Sequence, residues 1–300
     1  MNIFTIITNY GKMVKFSHTL FALPFAGLSI ILAILESRLI ISVFYFKLFL
    51  ILICMISARN AAMGFNRLVD AEIDKNNPRT KNREIPSGVL SKSSVTIFTI
   101  LFSITFIVST YFLNTFAFLA SVPTLMIVLF YSFTKRFTWM CHYILGLGIG
   151  LSPMGAWVAI TGDVSFVSFL WSMGLMFHIA GFDILYSTQD MEYDKDNGLF
   201  SIPSVFGLEI SLLVAKINHT ISFILLFYAG KVAGLSSFYF IFLCIAGILF
   251  AIEHFLVNKD DLSKVPIAFF HINASISIIL FLGIFFEKWN DLINYFRSQL

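Results

Sequence analysis

Apolar runs of about 20 residues recur along the chain, separated by short polar stretches. Nine windows have this character: 18–36, 44–64, 95–112, 116–133, 143–162, 166–186, 209–229, 236–256 and 266–286. As helices rising about 1.5 Å per residue, such runs cross roughly 30 Å of hydrocarbon. They are continuously apolar rather than alternating, which excludes a closed β-barrel and leaves helices to satisfy the backbone in lipid. Ahead of them, Ile3, Phe4, Ile6, Ile7 and Tyr10 fall at near-helical spacing before Lys12 and Lys15. That spacing predicts a helix lying in the membrane interface. The first window is long for a cleaved signal peptide and eight more follow it. The whole pattern predicts an all-α integral membrane protein, with residues 1–300 as a single membrane-embedded domain.

Composition sharpens this. Of 300 residues 58% are hydrophobic and 12% charged, against roughly a quarter charged in soluble domains. There is too little polar surface to face water. Cys54, Cys141 and Cys244 lie far apart, with neither zinc spacing nor a disulfide framework. The N-terminus and the loops after the second, fourth, sixth and eighth windows hold 13 Lys and Arg, the opposite side 5. This asymmetry predicts a cytoplasmic N-terminus and cytoplasmic even-numbered loops.

Charge is concentrated in "NRLVDAEIDKNNPRTKNREIPSG", residues 66 to 88, where the second window reaches the predicted cytoplasmic face. Asn66, Asp70 and Asp74 recur every four residues, so a helix continuing past the bilayer would carry all three on one face. A second group, "GFDILYSTQDMEYDKDNG", follows the sixth window: Asp183, Asp190 and Asp194 are spaced by seven and four, and Tyr186 shares their face. Asp183 lies within the apolar run itself, and a carboxylate in that setting marks a functional site. Few, carboxylate-rich oxygen ligands suit Mg²⁺, which binds through one or two carboxylates and phosphate oxygens. Two such clusters facing one another would hold two or three Mg²⁺ bridged by a diphosphate. Arg79, Lys81 and Arg83 follow the first cluster; Tyr131 and Lys135, at i and i+4, end the fourth window and Arg136 follows. These cations suit phosphate oxygens or a carboxylate. A transporter would place ionisable groups at mid-membrane depth beside paired helix breaks; here the acidic residues gather at one surface. The Gly-rich "LGLGIGLSPMG" of the fifth window reads as such a break or as close helix packing. His18, His142 and His178 read as packing residues.

The spaced motifs resemble the UbiA superfamily of intramembrane aromatic prenyltransferases. Asn66, Asp70 and Asp74 with "NPRTKNREIPSG" look like its first signature; Asp183, Tyr186, Asp190 and Asp194 look like its second; "YSFTKR", residues 131–136, resembles the segment after its fourth helix. The resemblance implies a bundle of nine helices around a central cavity, in which a polyprenyl diphosphate is ionised and its allylic cation captured by an acceptor. It implies Asn66, Asp70, Asp74, Asp190 and Asp194 as the Mg²⁺–diphosphate shell, with Asp70 and Asp190 essential to catalysis. Arg79, Arg83, Tyr131 and Lys135 become diphosphate contacts, Tyr186 part of the same substrate site, and Asp183 the group that orients or deprotonates the acceptor. "KFSHTLFALPFA", "ARNAAMGFNRLVD" and "GFDILYSTQDMEYD" look most like 4-hydroxybenzoate polyprenyltransferases, one branch of which takes 1,4-dihydroxy-6-naphthoate. Either acceptor is an aromatic acid of quinone biosynthesis, for whose carboxylate Arg59 and Arg136 are candidates. Ser187 and Thr188 stand where ubiquinone-pathway members often carry Ala and Met, which leaves the acceptor open, with homogentisate, haem, chlorophyllide or a sugar phosphate as alternatives. The partners implied are a polyprenyl diphosphate, a small aromatic acid and the lipid bilayer of the inner membrane; no nucleic acid or protein partner is implied.

Overall fold

The computed structural model describes residues 3–15, 21–259 and 262–299; His18 and the start of the first window lie outside them. The predicted interfacial segment folds as α1 (Ile3–Met13). The windows that follow become α2 (Leu23–Ser37), α3 (Ile41–Val69), α5 (Lys92–Tyr111), α6 (Thr115–Thr134), α7 (Cys141–Thr161), α8 (Phe166–Ser187), α10 (Ile202–Val232) and α11 (Ser237–Leu256). The ninth forms a short helical turn, α12 (Val265–Ile267), a π-turn Ala268–Ile272 and α13 (Asn273–Glu287). Two short helices, α4 (Ala71–Asn76) and α9 (Met191–Asp196), extend from α3 and α8, and α14 (Trp289–Arg297) follows the last span. Among the described residues, eight helical segments are long and apolar enough to cross a membrane. The shorter α2 makes a ninth apolar helix; at 15 residues it is about 22 Å long. About nine spans, as predicted, therefore make up the bundle.

Helix α2 is sheathed by neighbours, with Phe25, Leu28 and Ile34 buried; α8 is likewise central and buries Trp171, Leu175 and Ile179. Lipid tails are as apolar as these side chains, so close approach and hydrogen bonds, rather than expulsion of water, hold such helices together. The glycines of "LGLGIGLSPMG" supply close approach. A Cβ at Gly146 would lie 2.5 Å from the Met176 carbonyl oxygen, and one at Gly150 2.9 Å from that of Ser172. Of the two readings of this segment, packing holds, for α7 runs unbroken through it. Hydrogen bonds then tie α7 to its neighbours: Ser29 Oγ donates to the Pro153 carbonyl (2.7 Å), Ser172 Oγ accepts from the Met154 amide (3.0 Å), and Asn114 Nδ2 donates to the Val158 carbonyl (2.8 Å). Outward-facing Ile97, Leu101, Leu119, Met126, Leu213 and Ile248 are exposed, an arrangement suited to lipid and not to water.

One break fell outside the predicted pattern. Gly207, with φ +81 and ψ 174, interrupts α10, a conformation open essentially to glycine alone. The turn before this kink starts at Ser201, whose side chain caps the helix and reaches Asp194.

Candidate active site

Two acidic arms leave the bundle at the same end. In the first, Asn66 sits in the last turn of α3 and Asp70 at its end, where φ −89 and ψ 3 depart from the helix. The continuous helix expected from the spacing is thus bent at Asp70. The i to i+4 bonds persist across the bend: the Asp70 amide donates to Asn66 O (2.9 Å) and the Asp74 amide to Asp70 O (2.7 Å). Asn66 Nδ2 consequently still reaches Asp70 Oδ2 at 2.8 Å. The second arm repeats the device. Helix α8 stops at Ser187, a 3₁₀ turn covers Thr188–Asp190, and α9 restarts after Asp190 (φ −105, ψ 5). The single helical face expected for Asp183, Asp190 and Asp194 is therefore broken at Asp190.

The arms face each other and are joined by side chains. Arg79, from the loop after α4, makes a two-point ion pair with Asp190, its Nε donating to Oδ1 at 2.8 Å. Asn77 Nδ2 donates to the same oxygen at 3.0 Å. Arg79 Nη1 also donates to Tyr186 Oη (3.0 Å), its guanidinium lying over that ring. Tyr193 Oη donates to the Ile73 carbonyl at 2.9 Å, binding α9 to α4.

Each carboxylate is matched to a cation. Arg83 Nη1 donates to both oxygens of Asp74 (2.7 and 2.8 Å), Arg136 Nη2 to Asp70 Oδ1 (3.0 Å), and Lys135 Nζ lies 2.7 Å from Asp194 Oδ1. Asp74, Asp190 and Asp194 are all buried, and Asp194 is fully enclosed. Burial raises the Asp70 carboxyl above its ordinary value despite Arg136 beside it. For Arg79, burial is outweighed by the bonds to Asp190 and Tyr186, and the guanidinium is held above its usual value. Among the described residues no three carboxylate, imidazole or thiol groups converge as a ready metal cage.

Beside the arms, a cavity of about 400 Å³ runs between α3, α5, α6 and α7. Its lining is apolar except for a few groups that include Arg59, Tyr131, Thr124 and Ser152. Arg59 Nη2 donates to the carbonyls of Val14 (3.2 Å) and Lys15 (3.0 Å) just beyond α1, while its buried Nε has no hydrogen-bond partner among the described residues. Arg136 does not line this cavity; it is held at the arms by Asp70 and by the Val69 and Ser132 carbonyls. Asp183 is not part of the lining either. His142 holds it instead: the Ile202 amide donates to His142 Nε2 (3.2 Å), so Nδ1 carries the proton and donates to Asp183 Oδ2 at 2.7 Å. His142, read from the sequence as packing, is thus a polar partner, whereas His178 does pack edge-on against Phe182 and Phe250.

The sequence profile of the UbiA prenyltransferase family matches residues 21–275. The chain belongs to the UbiA prenyltransferase family. Curated relatives named 4-hydroxybenzoate octaprenyltransferase include one from Enterobacter sp. (strain 638), 28% identical over 77% of this chain and 80% of the relative. Another, from Francisella tularensis subsp. novicida (strain U112), is 26% identical over 75% and 78%. Among solved structures, the apo form of a UbiA homolog from Aeropyrum pernix K1 superposes with a TM-score of 0.80, at 26% identity, covering 90% of this chain and 97% of that one. A UbiA homolog from Archaeoglobus fulgidus bound to DMAPP and Mg²⁺ shares the fold, with a TM-score of 0.71 at 19% identity over 92% and 98%. The protein is a UbiA-type prenyltransferase and an integral, multi-pass membrane protein.

Several residues of this candidate site were not singled out from the sequence. Asn77 continues the arm three residues beyond Asp74, and that spacing is the signal that would have found it. Arg67, which entered the sequence analysis only as one of the 13 Lys and Arg on the predicted cytoplasmic side, is 4% exposed, and its Nε has no hydrogen-bond partner among the described residues. Lys15 lies close to Arg67, Arg79 and Arg83, and burial together with these cations lowers its ammonium to about 8.

Proposed function

We propose that this enzyme transfers a polyprenyl group from its diphosphate to the ring of 4-hydroxybenzoate. The observation that carries the reading is the joining of the two acidic arms, through Arg79, Asn77 and Asp190, next to an apolar cavity whose wall includes Arg59 and Tyr131.

Carboxylate and amide oxygens, buried at Asp74, Asp190 and Asp194 and half-buried at Asn66 and Asp70, fit a hard divalent cation, and these five residues would hold Mg²⁺. When bound, that ion supplies charge neutralisation to the diphosphate. Arg79, Arg83 and Lys135 offer fixed donors to phosphate oxygens, which stabilise the leaving group as its negative charge builds. Tyr131, close to Asp70, Arg59 and Arg67, sits between this charged region and the cavity. The apolar walls keep water from the allylic cation.

Arg59, on the cavity wall with an Nε unpartnered among the described residues, suits the acceptor carboxylate better than Arg136, which is committed to Asp70. Asp183 stands outside the cavity lining, but its carboxylate is held in place by His142, which supports a role in orienting or deprotonating the acceptor hydroxyl. Ser187 and Thr188 donate to carbonyls of their own helix, Ile184 and Leu185, so their departure from the ubiquinone-pathway pattern gives no support to a naphthoate acceptor. The Lys and Arg asymmetry supports placing the arms on the cytoplasmic side of the inner membrane.

Membranes containing the protein, given Mg²⁺, octaprenyl diphosphate and equal amounts of 4-hydroxybenzoate and 1,4-dihydroxy-6-naphthoate, test the reading by mass spectrometry. Prenylated 4-hydroxybenzoate is expected as the main product. A predominance of prenylated naphthoate, or no product of either kind, overturns it.

A further inference from the structure

Glycine is a poor helix former, so each glycine inside α7 calls for a reason. Gly146 and Gly150 are explained by the backbone of α8 pressed against them, and Gly148 by Val128, 3.3 Å from where its Cβ would stand. Gly155 has no such neighbour. A Cβ there would meet nothing within 4 Å, and the residue lines the cavity. Its backbone is ordinary helix, outside the positive-φ positions, so no conformational demand selects glycine either. What a side chain at 155 would take up is cavity space.

The depth of this point follows from a hydrogen bond. Asn114 Nδ2 donates to the Val158 carbonyl, which sets the start of α6 beside the end of α7 and brings Gly155 to the level of Ala117. Ala117, Ala120 and Ser121 line the cavity on α6 and are also small. From Tyr131, at the charged end, to Ala117 is 14 residues of α6 (131 − 117), or about 21 Å of helix. Four C–C bonds of about 1.5 Å per isoprene unit give about 5 Å per extended unit, so about four units span that depth.

We infer that Gly155 governs the length of isoprenoid this enzyme accepts: tails of more than about four units must pass the open bore at its level, and shorter ones end before it. The inference rests on the transfer reaction proposed above and assigns its chain-length selectivity to one position.

The test compares two-unit (geranyl) with eight-unit (octaprenyl) diphosphate as donors to 4-hydroxybenzoate, in membranes carrying wild type, Gly155→Ala or Gly155→Leu. Gly155→Leu is expected to cut octaprenyl transfer at least tenfold relative to geranyl transfer, and Gly155→Ala to cut it less. An octaprenyl-to-geranyl ratio unchanged in both variants, including equal loss of both activities, overturns the inference. If Gly155→Leu does not fold, Gly155→Ala decides, because its single methyl enters open space; an unchanged ratio there overturns the inference too. A wild-type protein that transfers neither chain overturns the proposed function itself, which keeps the two failures distinct.

Discussion

Asp70 and Asp190 each accept from an arginine and an amide side chain, Arg136 with Asn66 and Arg79 with Asn77. Removing either carboxylate leaves a guanidinium without its counter-charge and takes a ligand from the proposed ion. Asp70→Ala and Asp190→Ala are expected to lower Mg²⁺-dependent prenylation by about 100-fold or more, read as product formed per unit of folded protein. Lys15 gives a prediction in pH. Its folded value lies near 8, below the ordinary 10.5, so its charge is present below pH 8 and lost as pH rises through that value. A bound anion favours the charged form, so affinity for inorganic diphosphate is expected to fall about tenfold from pH 7 to pH 9. In Lys15→Met that dependence flattens, which calorimetric titration would show. Legibility at this scale tracked spacing. Asn66, Asp70, Asp74, Asp190 and Asp194 repeat at regular intervals and were visible in the sequence. Lys15 and Arg67 were not, because their significance is their burial beside other cations, which no local pattern encodes.

Between elements, glycines admit both backbone and ring atoms of a neighbouring helix at close range. Gly150→Val would press a branched side chain onto the Ser172 carbonyl and is expected to destabilise the α7–α8 pair by about 1–3 kcal/mol, lowering the unfolding midpoint in detergent. Gly181→Ala collides with the His219 ring, whose Cδ2 lies 2.3 Å from the added carbon, and should act similarly. Gly207→Ala carries a different penalty, about 1–3 kcal/mol of backbone strain, and shifts Ser201 away from Asp194. The apolar windows placed most helices within a few residues, since a bilayer demands long apolar runs and little else. They missed the kink at Gly207, because a glycine between apolar neighbours reads the same whether its φ is negative or positive. They also missed α14, a nine-residue amphipathic helix too short to register as a span.

Across the whole molecule, the division of labour is spatial. Charge collects at one end of the bundle, the apolar cavity runs inward from it, and the outer wall is lipid-facing. Arg59 connects these regions, lining the cavity while holding the last carbonyls of the α1 segment. Arg59→Met is therefore expected to raise KM for the aromatic acid about tenfold or more while leaving KM for the prenyl diphosphate nearly unchanged, a split that steady-state kinetics with each substrate varied in turn would reveal. A central cavity and a candidate role for Arg59 came with the family resemblance, but which helices form the wall and that Arg59 lines it could not be read from the chain, since both arise from the packing of α3, α5, α6 and α7 against one another.

The bends at Asp70 and Asp190 have a mechanical meaning. Each arm leaves its membrane-embedded helix at a local break, Asp70 in the first and Thr188–Asp190 in the second, so any tightening of the charged head on a bound anion would be taken up there rather than in the bundle. Amide exchange slowed by bound diphosphate should therefore be confined to about residues 70–90 and 188–200, with α3 and α8 within the bilayer unaffected.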